Sequence, residues 1–252
     1  MKNGPHPDCD DESACPFSPL LADKSMTATF FNFDDKDIAS LKSQWDNLSS
    51  FYPSDKAIQD KAFQVLKERY SEKNRFYHNF SHVKALLKLF ESFTNKIHDP
   101  NAIKFSIWFH DVTYNTQRND NEAASARLAS EMLYKLNVNA GTIELVKDLI
   151  LATKDHSGRN LSYDAKLFLD MDLAILGMSE EIYKEYSQAI RKEYAWVSES
   201  MYRKGRKKVI KSFVERERIY FTDEMKVGYE EQARKNINNE IKSLDARKKP
   251  HA

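Results

Sequence analysis

Between Gly4 and Gly141 the chain carries no glycine, and Pro100 is the only proline between Pro53 and Pro250. Scarce backbone punctuation constrains the fold of these 252 residues more than any other feature. Sandwiches and barrels need turn signals roughly every 8–12 positions. Helices need none in their interiors, and Ala, Leu, Lys and Glu, all good helix formers, recur throughout. No period-2 alternation, internal repeat or low-complexity run interrupts the body. An all-α domain is therefore expected, its helices packing apolar stripes into one core.

Caps and apolar spacing place the helices. Asp34 opens one with Ile38, Leu41 and Trp45 on a shared face. Ser54, after Pro53, opens a second with Ala57, Phe63 and Leu66 inward. Others are expected near 81–95, 101–110, 121–136 and 142–155, a short one at 162–175, and three longer ones at 179–197, 199–220 and 223–244. Residues 1–29 read as an acidic tail holding four of the seven prolines. Residues 30–245 read as a single domain, and 246–252 as a basic tail.

Composition excludes several classes. Formal charge is +1, so no global field steers the chain to nucleic acid. The longest apolar runs, such as Leu149-Ile150-Leu151-Ala152, fall far short of the roughly 20 residues that cross a bilayer. No signal-peptide pattern opens the sequence. Both cysteines, Cys9 and Cys15, lie in the tail and with His6 make a poor zinc site. A cytoplasmic, reducing setting without membrane or nucleic-acid partners is the expectation.

Chemistry concentrates in four of the seven histidines. His82 leads into Leu86, Leu89 and Phe93, which places it on an inward stripe. His78 precedes it by four and shares that face if the helix starts early. His110 follows Ile103 and Ile107 and is adjacent to Asp111. His156 ends the stripe of Leu145, Leu149 and Ala152. A single histidine on an apolar face is usually a hydrogen-bonded core residue. Four of them, one beside an aspartate, are costly to bury unless they pair or bind a cation. Imidazole and carboxylate ligands suit several divalent metals: manganese, magnesium, cobalt, iron, nickel or zinc. A metal-activated water would make the chemistry hydrolytic, most naturally at phosphorus.

The strings Tyr77-His78-Asn79-Phe80-Ser81-His82, Trp108-Phe109-His110-Asp111-Val112, Asn121-Glu122-Ala123-Ala124-Ser125-Ala126 and Leu169-Asp170-Met171-Asp172-Leu173 resemble the HD superfamily of metal-dependent phosphohydrolases. Within it they look like a little-characterised branch of predicted metal-dependent HD phosphohydrolases, over roughly residues 70–245. The resemblance implies an HD-domain helical bundle with His82, His110 and Asp111 as metal ligands. The last aspartate is Asp172, which runs into Leu173-Ala174, or alternatively Asp170. Residues two apart on a helix point about 200° from each other, so one ion takes one of them.

The Tyr-His-Asn-x-x-His string is also similar to a motif of cyclic-nucleotide phosphodiesterases, which implies His78 as general acid. The glutamine purine clamp of those enzymes is not found. Glu122 would orient the attacking water or decorate a helix N-terminus. His156 would bind a second metal or a phosphoryl oxygen. Arg75, Lys154 and Arg191, the last within Arg191-Lys192-Glu193-Tyr194, are candidate phosphate partners, and Tyr114 a candidate stacking residue. The basic run 203–208 reads as a solvated helix face.

The expected activity is hydrolysis of a small phosphoester, a nucleotide or related molecule. Two alternatives stay open: a non-hydrolytic nucleotide-binding or scaffold protein with a retained pocket, and a di-iron oxygenase.

Overall fold

The computed structural model describes residues 33–157 and 160–246. Ten α-helices and no strands occur among them. They are α1 (Asp35–Ser49), α2 (Lys56–Tyr70), α3 (Phe80–Glu91), α4 (Pro100–Phe109), α5 (Asn121–Lys135), α6 (Ala140–Ala152), α7 (Tyr163–Asp172), α8 (Glu180–Glu193), α9 (Glu199–Val214) and α10 (Asp223–Asp245). A 3₁₀ segment, Leu173–Gly177, follows α7 directly. The described residues are all-α, in line with the scarcity of glycine and proline. The expected 1–29 tail, with His6, Cys9 and Cys15, lies outside the described residues, as does the basic end after Ala246.

Cap chemistry explains most helix starts. Asp34 and Asp37 form a reciprocal capping box on α1, with Asp34 Oδ1 accepting from the Asp37 backbone N–H at 3.0 Å. Asp99 caps α4 ahead of Pro100 at its first turn. Asn139, Ser162 and Ser179 cap α6, α7 and α8.

Several boundaries depart from the expected ones, among them the ends of α7 at Asp172, α8 at Glu193 and α9 at Val214. α2 starts at Lys56 after Asp55, and Ala57 is exposed; Ile58, Gln59, Ala62, Phe63 and Leu66 form its inner face. α3 starts at Phe80, because the Asn79 side chain accepts from the Ser81 N–H at 2.8 Å. His78 therefore precedes the helix instead of sharing a face with His82. α6 stops at Ala152, so Lys154 and His156 lie in the following turn.

α4 is the central helix. From Ala102 to Phe109 every residue except Lys104 is buried, which is the pattern of a helix packed on all sides. Trp45 meets the rings of Phe105, Trp108 and Phe109 edge-on. The Tyr70 hydroxyl donates to the Trp108 carbonyl at 3.1 Å. This packing holds the C-terminal end of α4, where His110 and Asp111 follow, in a fixed place. No helix among the described residues is long and apolar enough to cross a membrane.

The 3₁₀ segment is clamped by α10 and the residues just before that helix. Asn236 donates to the Leu176 and Met178 carbonyls, and Tyr220 to the Leu173 carbonyl. A Cβ built on Gly177 would sit 2.6 Å from the Tyr229 Cβ and 2.6 Å from its carbonyl oxygen. Gly177→Ala is expected to destabilise the protein by about 1–3 kcal/mol or more, since backbone must move to admit one methyl. Thermal unfolding by circular dichroism checks this, and an unchanged Tm would show that the contact relaxes freely.

Candidate metal centre

Four ligand-type side chains converge from three places in the fold. His82 comes from the first turn of α3, His110 and Asp111 from the end of α4, and Asp172 from the last residue of α7. His82 Nε2 lies 3.1 Å from His110 Nε2 and 3.0 Å from Asp172 Oδ1. His110 Nε2 lies 3.5 Å from Asp172 Oδ1 and 3.0 Å from Asp111 Oδ2. The remaining contact, His82 Nε2 to Asp111 Oδ2, is 3.8 Å. Both imidazoles are essentially buried.

The donor set fits a divalent cation. Metal–nitrogen and metal–oxygen bonds of about 2.0–2.2 Å place neighbouring ligands roughly 3.0–3.5 Å apart around one ion. The separations here fall mostly in that range. His82, His110 and Asp172 form a group that could hold a metal ion, and Asp111 adjoins it. His110 Nδ1 donates to the Ile107 carbonyl at 3.1 Å, which directs Nε2 at the cluster.

Electrostatics is consistent with a cation-seeking site. Burial opposes charge on every member. It holds His82 below the ordinary imidazole value. On His110 burial is outweighed by Asp111 and Asp172, which raise it well above that value. Burial would lift Asp172, but His110 and the hydrogen bonds from three imidazoles hold it well below the usual carboxylate range. Asp111 is depressed in the same way, against burial, by His110 and His78.

Asp170 faces elsewhere. Its carboxylate accepts from the Phe221 N–H, the Thr222 N–H and the Thr222 hydroxyl at 2.6–2.7 Å, tying α7 to the start of α10. Of the two aspartates, Asp172 is the one in the cluster.

His156 reaches the site from the turn after α6. Its Nε2 lies 2.8 Å from Asp172 Oδ2, the oxygen not shared with His82. The backbone at His156 is left-handed, with φ 45°, which costs a non-glycine residue about 1 kcal/mol or more. Arg216 secures that turn by donating to the His156 carbonyl at 2.7 Å and the Asp155 carbonyl at 2.8 Å. The strained turn thus serves to aim one imidazole at Asp172. His156→Ala is expected to weaken divalent-ion affinity roughly 10–100-fold, the usual result of losing a partner that orients a ligand. Calorimetric titration with Mn²⁺ tests it, and wild-type affinity in the variant would show that Asp172 needs no such brace.

A second polar group flanks the cluster. Glu193, the buried last residue of α8, accepts through Oε1 from the backbone N–H groups of Phe76, Tyr77 and His78 at 2.7–3.0 Å. Through Oε2 it accepts from His78 Nδ1 at 2.7 Å and from the Tyr114 hydroxyl at 3.0 Å. The Tyr114 ring stacks on His78 with centroids 4.1 Å apart. Burial would lower His78, yet Glu193 and Asp111 raise it above the ordinary imidazole value. Sequence reasoning passed over Glu193. Its signal was a carboxylate continuing the buried stripe of Ile182, Tyr186 and Ile190.

Two expected phosphate partners are corrected. The Arg75 guanidinium is buried and donates to the carbonyls of His78, Asp111 and Val112 and to Glu72. It pins the His78 loop to the end of α4. Arg191 donates to the Tyr194 and Val197 carbonyls, pairs with Glu199 and lies over the Tyr202 ring. Both have their donors committed to holding loops. The 203–208 run also departs from a purely solvated face. Within it Arg206 is buried, forked onto Glu240 at 2.9 and 3.1 Å.

Lys154 does reach the site. It is exposed, and its Nζ donates to the Asn119 carbonyl at 3.1 Å. With Glu122, His78, Tyr114, Asp111, His156 and Asp172 it lines a cavity of about 540 Å³. That volume suits a small-molecule ligand. Comparison with protein-family models gave no match for the chain, and comparison with curated proteins gave none.

Proposed function

We propose that the chain is an HD-type metal-dependent phosphohydrolase that cleaves a phosphoester of a nucleotide or related small molecule. The observation that carries this reading is the meeting of two buried imidazoles with two carboxylates that line a ligand-sized cavity, which a third imidazole, His78, also lines. A divalent ion held by His82, His110, Asp172 and Asp111 would supply Lewis acidity and a nucleophilic hydroxide near neutral pH.

The protein's own groups account for the rest. Glu193 fixes the Nδ1–H of His78, and Tyr114 holds the ring flat, so the other ring nitrogen is oriented by two contacts. His78 then donates its proton to the leaving alcohol oxygen as the P–O bond breaks. Lys154 offers an ammonium to a phosphoryl oxygen. Glu122 lines the same cavity and accepts the proton of the attacking water.

The test is metal analysis followed by a phosphoester panel assayed with Mn²⁺, Mg²⁺, Co²⁺, Ni²⁺, Zn²⁺ and Fe²⁺. Phosphate release that depends on added ion is expected. Silence across the panel on metal-loaded protein would overturn the reading. One observation favours a second reading: Asp172 offers one oxygen to His82 and the other to His156, an arrangement suited to two ions. Two irons per chain with substrate-dependent oxygen uptake would make the protein an oxygenase instead.

A further inference from the structure

The cavity has two ends of opposite character. One holds Asp111, Asp172, His78, His156, Glu122 and Lys154. The other runs along α9 between two of its stripes, and Leu173, Ile175, Leu176 and Ile190 add apolar surface to the lining. Tyr202, Arg206 and Ile210, spaced by four, form the buried stripe, while Met201, Gly205 and Val209 form the outer rim. Met201 and Val209 are 70% and 53% exposed, so the rim is an apolar lip.

Gly205 is anomalous. It sits in the middle of a 16-residue helix, where glycine costs about 1 kcal/mol relative to alanine. Its backbone has no left-handed φ that would require glycine. No side chain beyond its chain neighbours and no other element lies within 4 Å of the position a Cβ would take, so close packing does not require glycine either. What the missing side chain leaves is space, between Met201 and Val209, on the wall of the cavity.

Charge narrows what can occupy this arm. The cationic side chains lining the cavity are Lys154 and Arg206, and Arg206 is neutralised by Glu240. Arg75 and Arg191 are engaged with carbonyls, as described above. Along α9 a polyphosphate would find no unpaired cation and mostly apolar and aromatic side chains; the exposed cations Arg69, Lys73, Arg118 and Lys192 line a separate pocket beyond Tyr114, Thr116 and Trp196. The polar side chains on this stretch of wall are Thr116, Tyr186, Tyr194, Tyr202 and the paired Arg206, and the Tyr202 hydroxyl is buried without a partner.

We propose that the substrate is a phosphomonoester of a largely apolar alcohol, its phosphoryl group at the metal end and its hydrocarbon body in the α9 arm beside Gly205. The proposal rests on the hydrolase reading and narrows it away from nucleoside polyphosphates. The reaction is hydrolysis: water adds to phosphorus, the P–O bond to the alcohol breaks, and the alcohol oxygen takes the proton from His78.

The experiment measures kcat/KM of the metal-loaded full chain for ethyl, butyl, hexyl and octyl phosphate and for ATP. In parallel, the fluorescence of Trp196, a half-exposed residue on the cavity wall, reports binding of the matching alkylphosphonates, which cannot be hydrolysed. Each buried methylene is worth about fourfold at most, so a rise on the order of 10²-fold from ethyl to octyl phosphate is expected, with ATP well below octyl phosphate. Gly205→Leu fills the arm and should cut the octyl-to-ethyl ratio by about tenfold or more, whereas Gly205→Ala keeps most of it. Both variants improve helix propensity in open space, so folding is preserved. Turnover without dependence on chain length overturns the proposal and leaves the hydrolase standing. Silent turnover with phosphonate affinity that rises with length and falls in Gly205→Leu upholds the apolar arm and removes the hydrolase. Neither turnover nor length-dependent binding removes both.

Discussion

Asp172→Ala protein is expected to bind Mn²⁺ more weakly than wild type by more than the roughly 10–100-fold that follows loss of an outer partner, because a ligand itself is gone. Turnover should fall on the order of 10³-fold or more, since the Lewis-acid contribution is several kcal/mol and each 1.36 kcal/mol is tenfold. Asp172 is the residue to choose because it links the buried imidazole pair to the third imidazole: His82 and His110 on one oxygen and His156 on the other. Its removal also affects the ion-free protein. Asp172 is held well below the usual carboxylate range on folding, against burial, chiefly by His110. A group depressed on folding stabilises the protein above its unfolded value and loses that contribution as pH falls through its folded one. Ion-free wild type should therefore exceed the variant in stability near neutral pH, and the difference should shrink below about pH 4. Asp172→Asn keeps the shape and controls for collapse of the site. Metal content and calorimetry read the affinity, a phosphate-release assay the turnover, and thermal melts the stability. Full metal loading in Asp172→Ala would show that the cluster is a polar core and not a metal centre.

How much of this could be read from residues alone depends on the range of the interactions involved. Helix content followed from missing breakers and the start of α1 from the Asp34 cap, and the starts of α4 and α7 fall within one residue of the expected ones. The end of α7 did not follow, because Leu173-Ala174-Ile175-Leu176 reads as more helix. What fixes the 3₁₀ turn there is distant: Asn236 on two carbonyls and Tyr229 against Gly177. The same divide runs through the site. His82 and His110 stood out as ligand-type residues on apolar stripes, a local signal, whereas Asp172 came from the family resemblance, with Asp170 as its alternative. Arg75 and Arg191 were misread as phosphate grips because a sequence does not display the carbonyls that occupy a guanidinium. Glu193 lies 115 residues from His78, and its importance comes from three consecutive backbone N–H groups that carry no side-chain identity at all.

His78→Ala is expected to retain the ion while slowing hydrolysis of an alkyl phosphate by roughly 10²–10⁴-fold, the usual value of a positioned general acid. Its effect should depend on the leaving group. An alkoxide needs a proton as it departs, whereas 4-nitrophenolate is stable without one, so the variant should lose far less activity on 4-nitrophenyl phosphate. The pH profile supplies an independent reading. An acid works only while protonated, so activity should decline as pH rises through the His78 value, which Glu193 and Asp111 lift above the ordinary imidazole value against burial. Glu193→Gln keeps an acceptor for the three backbone N–H groups but removes the anion beside Nδ1. The alkaline limb should then move to lower pH, a displacement that mere loosening of the loop would not produce. Equal losses on the alkyl and nitrophenyl esters, or an alkaline limb unmoved by Glu193→Gln, would take the proton-donor role away from His78. The ion and the attacking water would then have to carry the reaction without it.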